Sequence, residues 1–389
     1  MLPSAPAILK STSQALSRAA RPLLIPRARA LGLAAPELVQ TDNLPKYNAA
    51  KLAGRPFLPG SDTKGFPATL NPIRVDFPAV FHPKAPADAD KLPLEEWGAM
   101  VREIVDRELS KTGVLLFRGL PIRTREDYAR LFDGTGLAPR DYVGHAGRRE
   151  QLDTNVYSSN DDPLEFTIDI HTELSFMPAP PQKVMFCCIK SPGEHGGGET
   201  PVTDMRGVMR DMDPSLVERV RTRQIRYVRN IADKSRSSWN WQSNMHSEDR
   251  EEVERFLTGK GFSYRWNADD SLSYWFSTDG LSEHPGSGET YWFNQLTEHN
   301  GSCFKVHPEF MNETKHISEF PRHTSYGDGE EFSEEDLAHV REVQWKNSYG
   351  FHWRQGDVLV MDNFMVGHGR MGCNPGVKER KIIASITKN

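Results

Sequence analysis

Gly356-Asp357-Val358-Leu359-Val360-Met361-Asp362-Asn363-Phe364-Met365-Val366-Gly367-His368-Gly369-Arg370 reads as a turn, a buried strand and a second turn that delivers one histidine. Gly356-Asp357 has turn composition. Val358 to Met361 is an apolar run of strand length, short enough to favour a strand over a buried helix. His368 follows between Gly367 and Gly369, which let the backbone come close to whatever the imidazole faces. Alone, such a histidine is a core residue with a satisfied hydrogen bond. Ligand-type residues elsewhere change that reading.

Upstream lies Asp169-Ile170-His171-Thr172-Glu173. In extended chain, residues i and i+2 point to one side, so His171 and Glu173 can reach one ion. By itself His-x-Glu commonly means two solvated side chains. Imidazole with carboxylate suits Fe(II), Mn(II) or Zn(II), and a second histidine from a late strand completes a two-His, one-carboxylate facial triad with open positions. His171, Glu173 and His368 are therefore the candidate metal ligands. Gly196-Gly197-Gly198-Glu199-Thr200 and Lys378-Glu379-Arg380-Lys381 add a second element. Arg380 on its own reads as part of a basic surface run. An arginine inside a small barrel, however, is costly unless it meets an anion. Beside the triad it reads as a carboxylate fork, with the Thr200 hydroxyl alongside.

The chain has 389 residues, 37% hydrophobic and 26% charged, with a formal charge of −5. That is the composition of a globular protein with a sizeable core, and it lacks the basic stripe of a nucleic-acid binder. No stretch approaches the roughly 18 apolar residues of a membrane span. Cys187, Cys188, Cys303 and Cys373 show no CxxC spacing and read as buried thiols of a reducing compartment. Residues 1–36 contain Lys10, Arg18, Arg21, Arg27 and Arg29 and no acid. This is transit-peptide composition, mitochondrial before plastid, with a disordered basic tail on a cytoplasmic protein as the alternative.

Residues 37–93, punctuated by Pro and Gly, read as an extended arm. Residues 94–389 follow as one catalytic domain. The spacing of Trp97, Met100, Val101, Ile104, Val105 and Leu109 predicts a helix over 94–110, ended by Gly113. Strands are expected at 114–117, 184–189, 358–361 and 381–386, and a hairpin at 262–276 around Asp269-Asp270. Helices are expected over 125–132, from Ser247 to Gly259, and after an N-cap at Ser333. Many short strands with helical insertions indicate a mainly β fold of jelly-roll type.

These motifs resemble a known family. His-x-Glu, Gly-Gly-Glu-Thr, Tyr291-Trp292-Phe293-Asn294, Gly-Asp-Val-Leu…Asp-Asn…His-Gly-Arg and Arg380-Lys381-Ile382-Ile383-Ala384-Ser385 look like the taurine dioxygenase/clavaminate synthase superfamily. The similarity is greatest to its clavaminate-synthase-like branch and spans roughly residues 78–389. The resemblance implies a double-stranded β-helix and an enzyme using Fe(II), 2-oxoglutarate and O₂. It places metal on His171, Glu173 and His368, and the far carboxylate of 2-oxoglutarate on Arg380 and Thr200. Glu173 departs from the Asp of taurine dioxygenase itself but matches the clavaminate-synthase-like branch. Ala384 stands where several members carry a second arginine, leaving the metal-bound carboxylate of 2-oxoglutarate without an assigned contact. Lys381 should face the opposite side of its strand from Arg380.

The expected reaction is hydroxylation or desaturation of a small amino-acid-like or carboxylate substrate, with release of succinate and CO₂. Asn155, Tyr157, Trp241 and Asn294 are the candidate substrate contacts, from segments 155–157 and 239–243 and from Asn294. Trp239 and Trp241 at i, i+2 also suit strand packing. Arg370 is expected to pair with nearby acids. The competing readings are a non-oxidative metal hydrolase or isomerase, which has no use for Thr200 and Arg380, and a silent binding barrel, in which a degraded triad would be expected. Oligomeric state is left open.

Overall fold

Val358–Asp362 is buried along its whole length: strands flank it on both sides, helix Leu94–Thr112 packs against it, and Leu359 and Met361 enter the core. The computed structural model describes residues 37–388 apart from 45, 141–150, 154–155 and 159–161. Among these, the strand lies mid-sheet in an eight-stranded sheet. Val114–Phe117 pairs on one side, and Lys183–Lys190 on the other, which in turn pairs with Lys381–Ile386. Burial of both faces explains why these segments read as continuous apolar runs rather than alternating ones.

A second, five-stranded sheet holds Val202–Asp204, Val366–Arg370 and Ile168–His171 side by side. Its decisive feature is register. The antiparallel pairing sets His368 directly opposite His171, with an irregularity between His368 and Arg370. The two sheets share one core, in which Ile170, Val202 and Val366 meet Phe186, Met361, Ile382 and Ala384. This is the expected double-stranded β-helix, mainly β with helical insertions. Residues 37–93 supply Leu38–Gln40 and Ala79–Pro83 to the larger sheet and Asn71–Pro72 to the smaller one.

Helix Leu94–Thr112 buries the predicted stripe and ends at Gly113, whose φ of 81° suits a residue without Cβ. Helix Arg250–Gly259 begins later than expected because Asp249, not Ser247, caps it. Helix Glu334–Lys346 is capped by Ser333, as the sequence indicates. A separate four-stranded antiparallel sheet consists of Ser263–Trp266, Leu272–Thr278, Ile225–Ile231 and Arg322–Tyr326, and contains the expected hairpin. All four cysteines are free and buried. No helix among the described residues is long and apolar enough to cross a membrane.

Candidate metal centre and co-substrate pocket

The paired strands bring His171, Glu173 and His368 together, with one ligand-type atom from each lying within 4.8 Å of the others. His368 Nε2 is 3.4 Å and His171 Nε2 4.0 Å from Glu173 Oε2. All three side chains are buried, Glu173 completely. The tautomer of His171 follows from its neighbour. Its Nδ1 lies 2.9 Å from the Asp169 carbonyl, which can only accept, so Nδ1 carries the proton and Nε2 keeps its lone pair for the site. The Asp169 carboxylate is in turn held by Arg341 Nε at 2.7 Å and Trp345 Nε1 at 2.8 Å. Two imidazole nitrogens and a carboxylate at these separations fit one divalent ion with bonds of about 2.1 Å.

Asn363, from the Asp-Asn that ends the central strand, fixes the third ligand. Its Oδ1 accepts from Glu173 N at 2.7 Å, and its Nδ2 donates to the Glu173 carbonyl at 2.9 Å and to the Pro181 carbonyl at 2.9 Å. Sequence reasoning passed over this residue, although an Asn directly after a buried strand was the available signal.

A cavity of about 750 Å³ opens beside the triad; its wall includes His171, His368, Phe186, Thr200, Arg380 and Ile382. Arg380 stands just before strand Lys381–Ile386. Its Nε donates to the Gly198 carbonyl at 2.6 Å and its Nη2 to Thr200 Oγ1 at 3.0 Å. Among the described residues no carboxylate forms an ion pair with it. Burial first, then the charge of Arg370, push its guanidinium down to about 10, the mark of a cation short of a counter-ion. Gly198 makes the approach possible. Its φ is +70°, and a Cβ there would lie 2.8 Å from Cys373 Sγ and 2.9 Å from Arg380 Cδ. Lys381, the next residue, is exposed, as expected.

Of the expected substrate contacts, Asn155 lies outside the described residues. Tyr157, Trp241 and Asn294 are buried, and none belongs to the described cavity wall. Tyr157 pairs opposite Ala384 in the larger sheet. Trp241 begins a one-turn helix, because the Asn240 side chain caps Ser243 N, and packs edge-on against Trp266 in a satellite core. Trp239, by contrast, does line the cavity. Asn294 is structural: its side chain donates to the Gly280 carbonyl at 2.8 Å, and its own carbonyl accepts from Thr172 N at 3.4 Å, bracing the His-x-Glu turn. Arg370 donates to the carbonyls of Asp162, Pro163 and Phe166, and the charges of Asp162 and Glu165 act on its guanidinium.

Comparison with known proteins identifies this arrangement. Residues 80–385 match the model of the taurine catabolism dioxygenase TauD, TfdA family. The chain belongs to this family. Over 268 residues it is 31% identical to the dapdiamide synthesis protein DdaC of Enterobacter agglomerans, covering 68% of this chain and 80% of that protein. It is 25% identical over 324 residues to a clavaminate synthase-like protein of Arabidopsis thaliana, covering 80% of this chain and 94% of the relative. The solved PvcB protein of Pseudomonas aeruginosa is 13% identical, with a TM-score of 0.45 over 84% of this chain and 92% of that one. As a TauD/TfdA family member the chain is a 2-oxoglutarate-dependent dioxygenase with Fe(II), 2-oxoglutarate and O₂ as its cofactor set.

Proposed function

We propose that this dioxygenase hydroxylates or desaturates a small amino-acid-like or carboxylate substrate at a metal ion held by His171, Glu173 and His368, converting 2-oxoglutarate to succinate and CO₂. One observation carries the reading: a buried triad with ligand atoms within 4.8 Å adjoins a cavity whose wall holds Arg380, which among the described residues has no carboxylate ion pair. Iron with the keto acid supplies the oxidising chemistry. The protein's part is placement. Asp169 aims His171, and Asn363 holds the backbone of Glu173. Arg380 and Thr200 supply donors for the far carboxylate of 2-oxoglutarate. Phe186, whose ring meets His368 at 5.1 Å between centroids, and Ile382 keep water from that side of the site.

The decisive assay is succinate release from 2-oxoglutarate with and without Fe(II). Iron-dependent succinate is expected, and its absence from metal-loaded protein would reject the reading. We also propose mitochondrial import, on the Arg-containing, acid-free composition of residues 1–36, which lie outside the described residues. Fractionation of cells making the full chain tests this; cytosolic protein that keeps Met1 would overturn it.

A further inference from the structure

The same cavity wall carries a polar cluster that neither the metal nor 2-oxoglutarate accounts for. Arg322 opens strand Arg322–Tyr326 of the inserted sheet, opposite Arg229 in register. Its Nη1 donates to Glu298 Oε1 at 2.8 Å. Glu298 Oε2 lies 2.8 Å from His299 Nε2, and His299 Nδ1 lies 3.1 Å from Arg229 Nη2. A guanidinium can only donate, so Nδ1 accepts and the ring proton sits on Nε2, on the side of Glu298. Burial, which pushes His299 down to about 3, agrees with a neutral ring. The carboxylate thus lies against both the Arg322 guanidinium and the His299 ring, and the bond to its Oε1 holds Arg322 in one orientation. Arg229 and Arg322 share this carboxylate, and Asp162, also on the wall, adds its charge beside Arg322.

Of the two guanidiniums, Arg322 lines the cavity. Among the described residues Arg322 Nε and Nη2 make no hydrogen bond, and 24% of the side chain is exposed where it lines the wall. Gln295, also on the wall and only 3% exposed, has an Oε1 buried without a hydrogen-bond partner. A fixed guanidinium edge suits a carboxylate, and an unpaired buried amide oxygen suits an N–H donor. Elsewhere the wall holds more acids than bases, Glu309, Glu313 and Glu319 among them, which disfavours a ligand with surplus negative charge.

Resting on the oxygenase reading above, we propose that Arg322 is the anchor for the carboxylate of the prime substrate, a free amino acid or close analogue whose amine is received by Gln295. Glu298 and His299 are its positioning residues. The anchor stands on the inserted sheet, apart from the strands that hold the metal ligands.

The test uses the full chain loaded with Mn(II) and 2-oxoglutarate. Free L-amino acids, each beside its carboxamide and its decarboxylated amine, are titrated by calorimetry and thermal shift. At least one acid is expected to bind, with its amide and amine weaker by about tenfold or more, as for a lost charge-assisted pair. Arg322→Gln should lose the same factor for the acid only, Arg322→Lys should recover part of it, and both should still bind 2-oxoglutarate. Equal binding of acid and amide, an Arg322→Gln protein that binds the acid like wild type, or no acid binding at all would each overturn the anchor. The two readings fail separately. Iron-dependent succinate release without any preference for carboxylates sinks the anchor alone, whereas no succinate from iron-loaded protein sinks the oxygenase reading.

Discussion

Arg380 and Lys381 are adjacent cations with opposite surroundings, one on the cavity wall and one in solvent. Removing one partner of a desolvated charge pair costs about 2–5 kcal/mol, or a factor of some tens to thousands in affinity. Arg380→Ala should therefore raise the apparent KM for 2-oxoglutarate by that factor while leaving metal stoichiometry intact, and Lys381→Ala should change little. Steady-state kinetics on both variants checks this, and the reverse outcome would shift the strand register by one. Thr200→Val should cost about 1 kcal/mol in 2-oxoglutarate binding. It should also lower stability, because Thr200 Oγ1 accepts from the buried Trp353 Nε1 at 3.1 Å, a donor that valine would leave unpaired. At the metal, His368→Ala should abolish succinate release, and Glu173→Asp should be milder than Glu173→Ala because it shortens the ligand without removing its charge. A purified His368→Ala protein with wild-type iron content and turnover would reject the triad.

At the scale of elements, the legible features were those whose cause is local. Val358–Asp362 announced itself by an apolar run between turn residues, and helix Leu94–Thr112 by its periodic stripe. Two residue spacings, His-x-Glu and the late His368, gave the triad, but the register that sets His368 opposite His171 is a long-range pairing that no local pattern encodes. Trp241 was misread for a related reason: its i, i+2 spacing from Trp239 suggested a strand, whereas the Asn240 cap starts a helical turn between them. The anchor cluster was invisible because Arg229, Glu298 and Arg322 are scattered in sequence and meet only through the inserted sheet. Asn363 joins two elements, and its substitution tests that joint. Asn363→Leu, similar in volume, removes a hydrogen bond from the Glu173 N–H and from two carbonyls, at about 1–3 kcal/mol for each buried group. Its melting temperature should fall, and its Mn(II) affinity should fall with it as Glu173 loosens. Loss of stability with unchanged Mn(II) affinity would show that Asn363 supports the fold without positioning the ligand.

Across the whole molecule, the pH dependence of stability sets one buried group against another. Asp357, in the turn that opens the central strand, pairs with Arg118 at 3.1 Å, with side-chain exposures of 0% and 9%. Burial outweighs that partner and raises the carboxyl from 3.8 to about 6. Between about pH 4 and 6 the native chain thus holds a proton that the unfolded chain has released. The stability from this group is complete below 3.8 and is lost as pH rises through about 6. His299 works in the opposite sense. Burial lowers it from 6.5 to about 3, so its contribution is complete above 6.5 and is lost on acidification. Each slope is about 1.4 kcal/mol per pH unit, and where the windows overlap they cancel. Asp357→Asn removes one side of this balance. The wild-type advantage in unfolding free energy should grow by about 1.4 kcal/mol per unit as pH falls from about 6 to about 4, and stay constant above. Denaturant unfolding of both proteins at a series of pH values reads this difference directly, because other titrating groups drop out of the subtraction. A difference independent of pH would mean that Arg118 fully offsets the burial of Asp357. A difference that instead grew with rising pH would mean that the pair favours the ionised carboxylate, and the turn would then hold an ion pair stable at neutral pH rather than a carboxyl kept ionised at a cost.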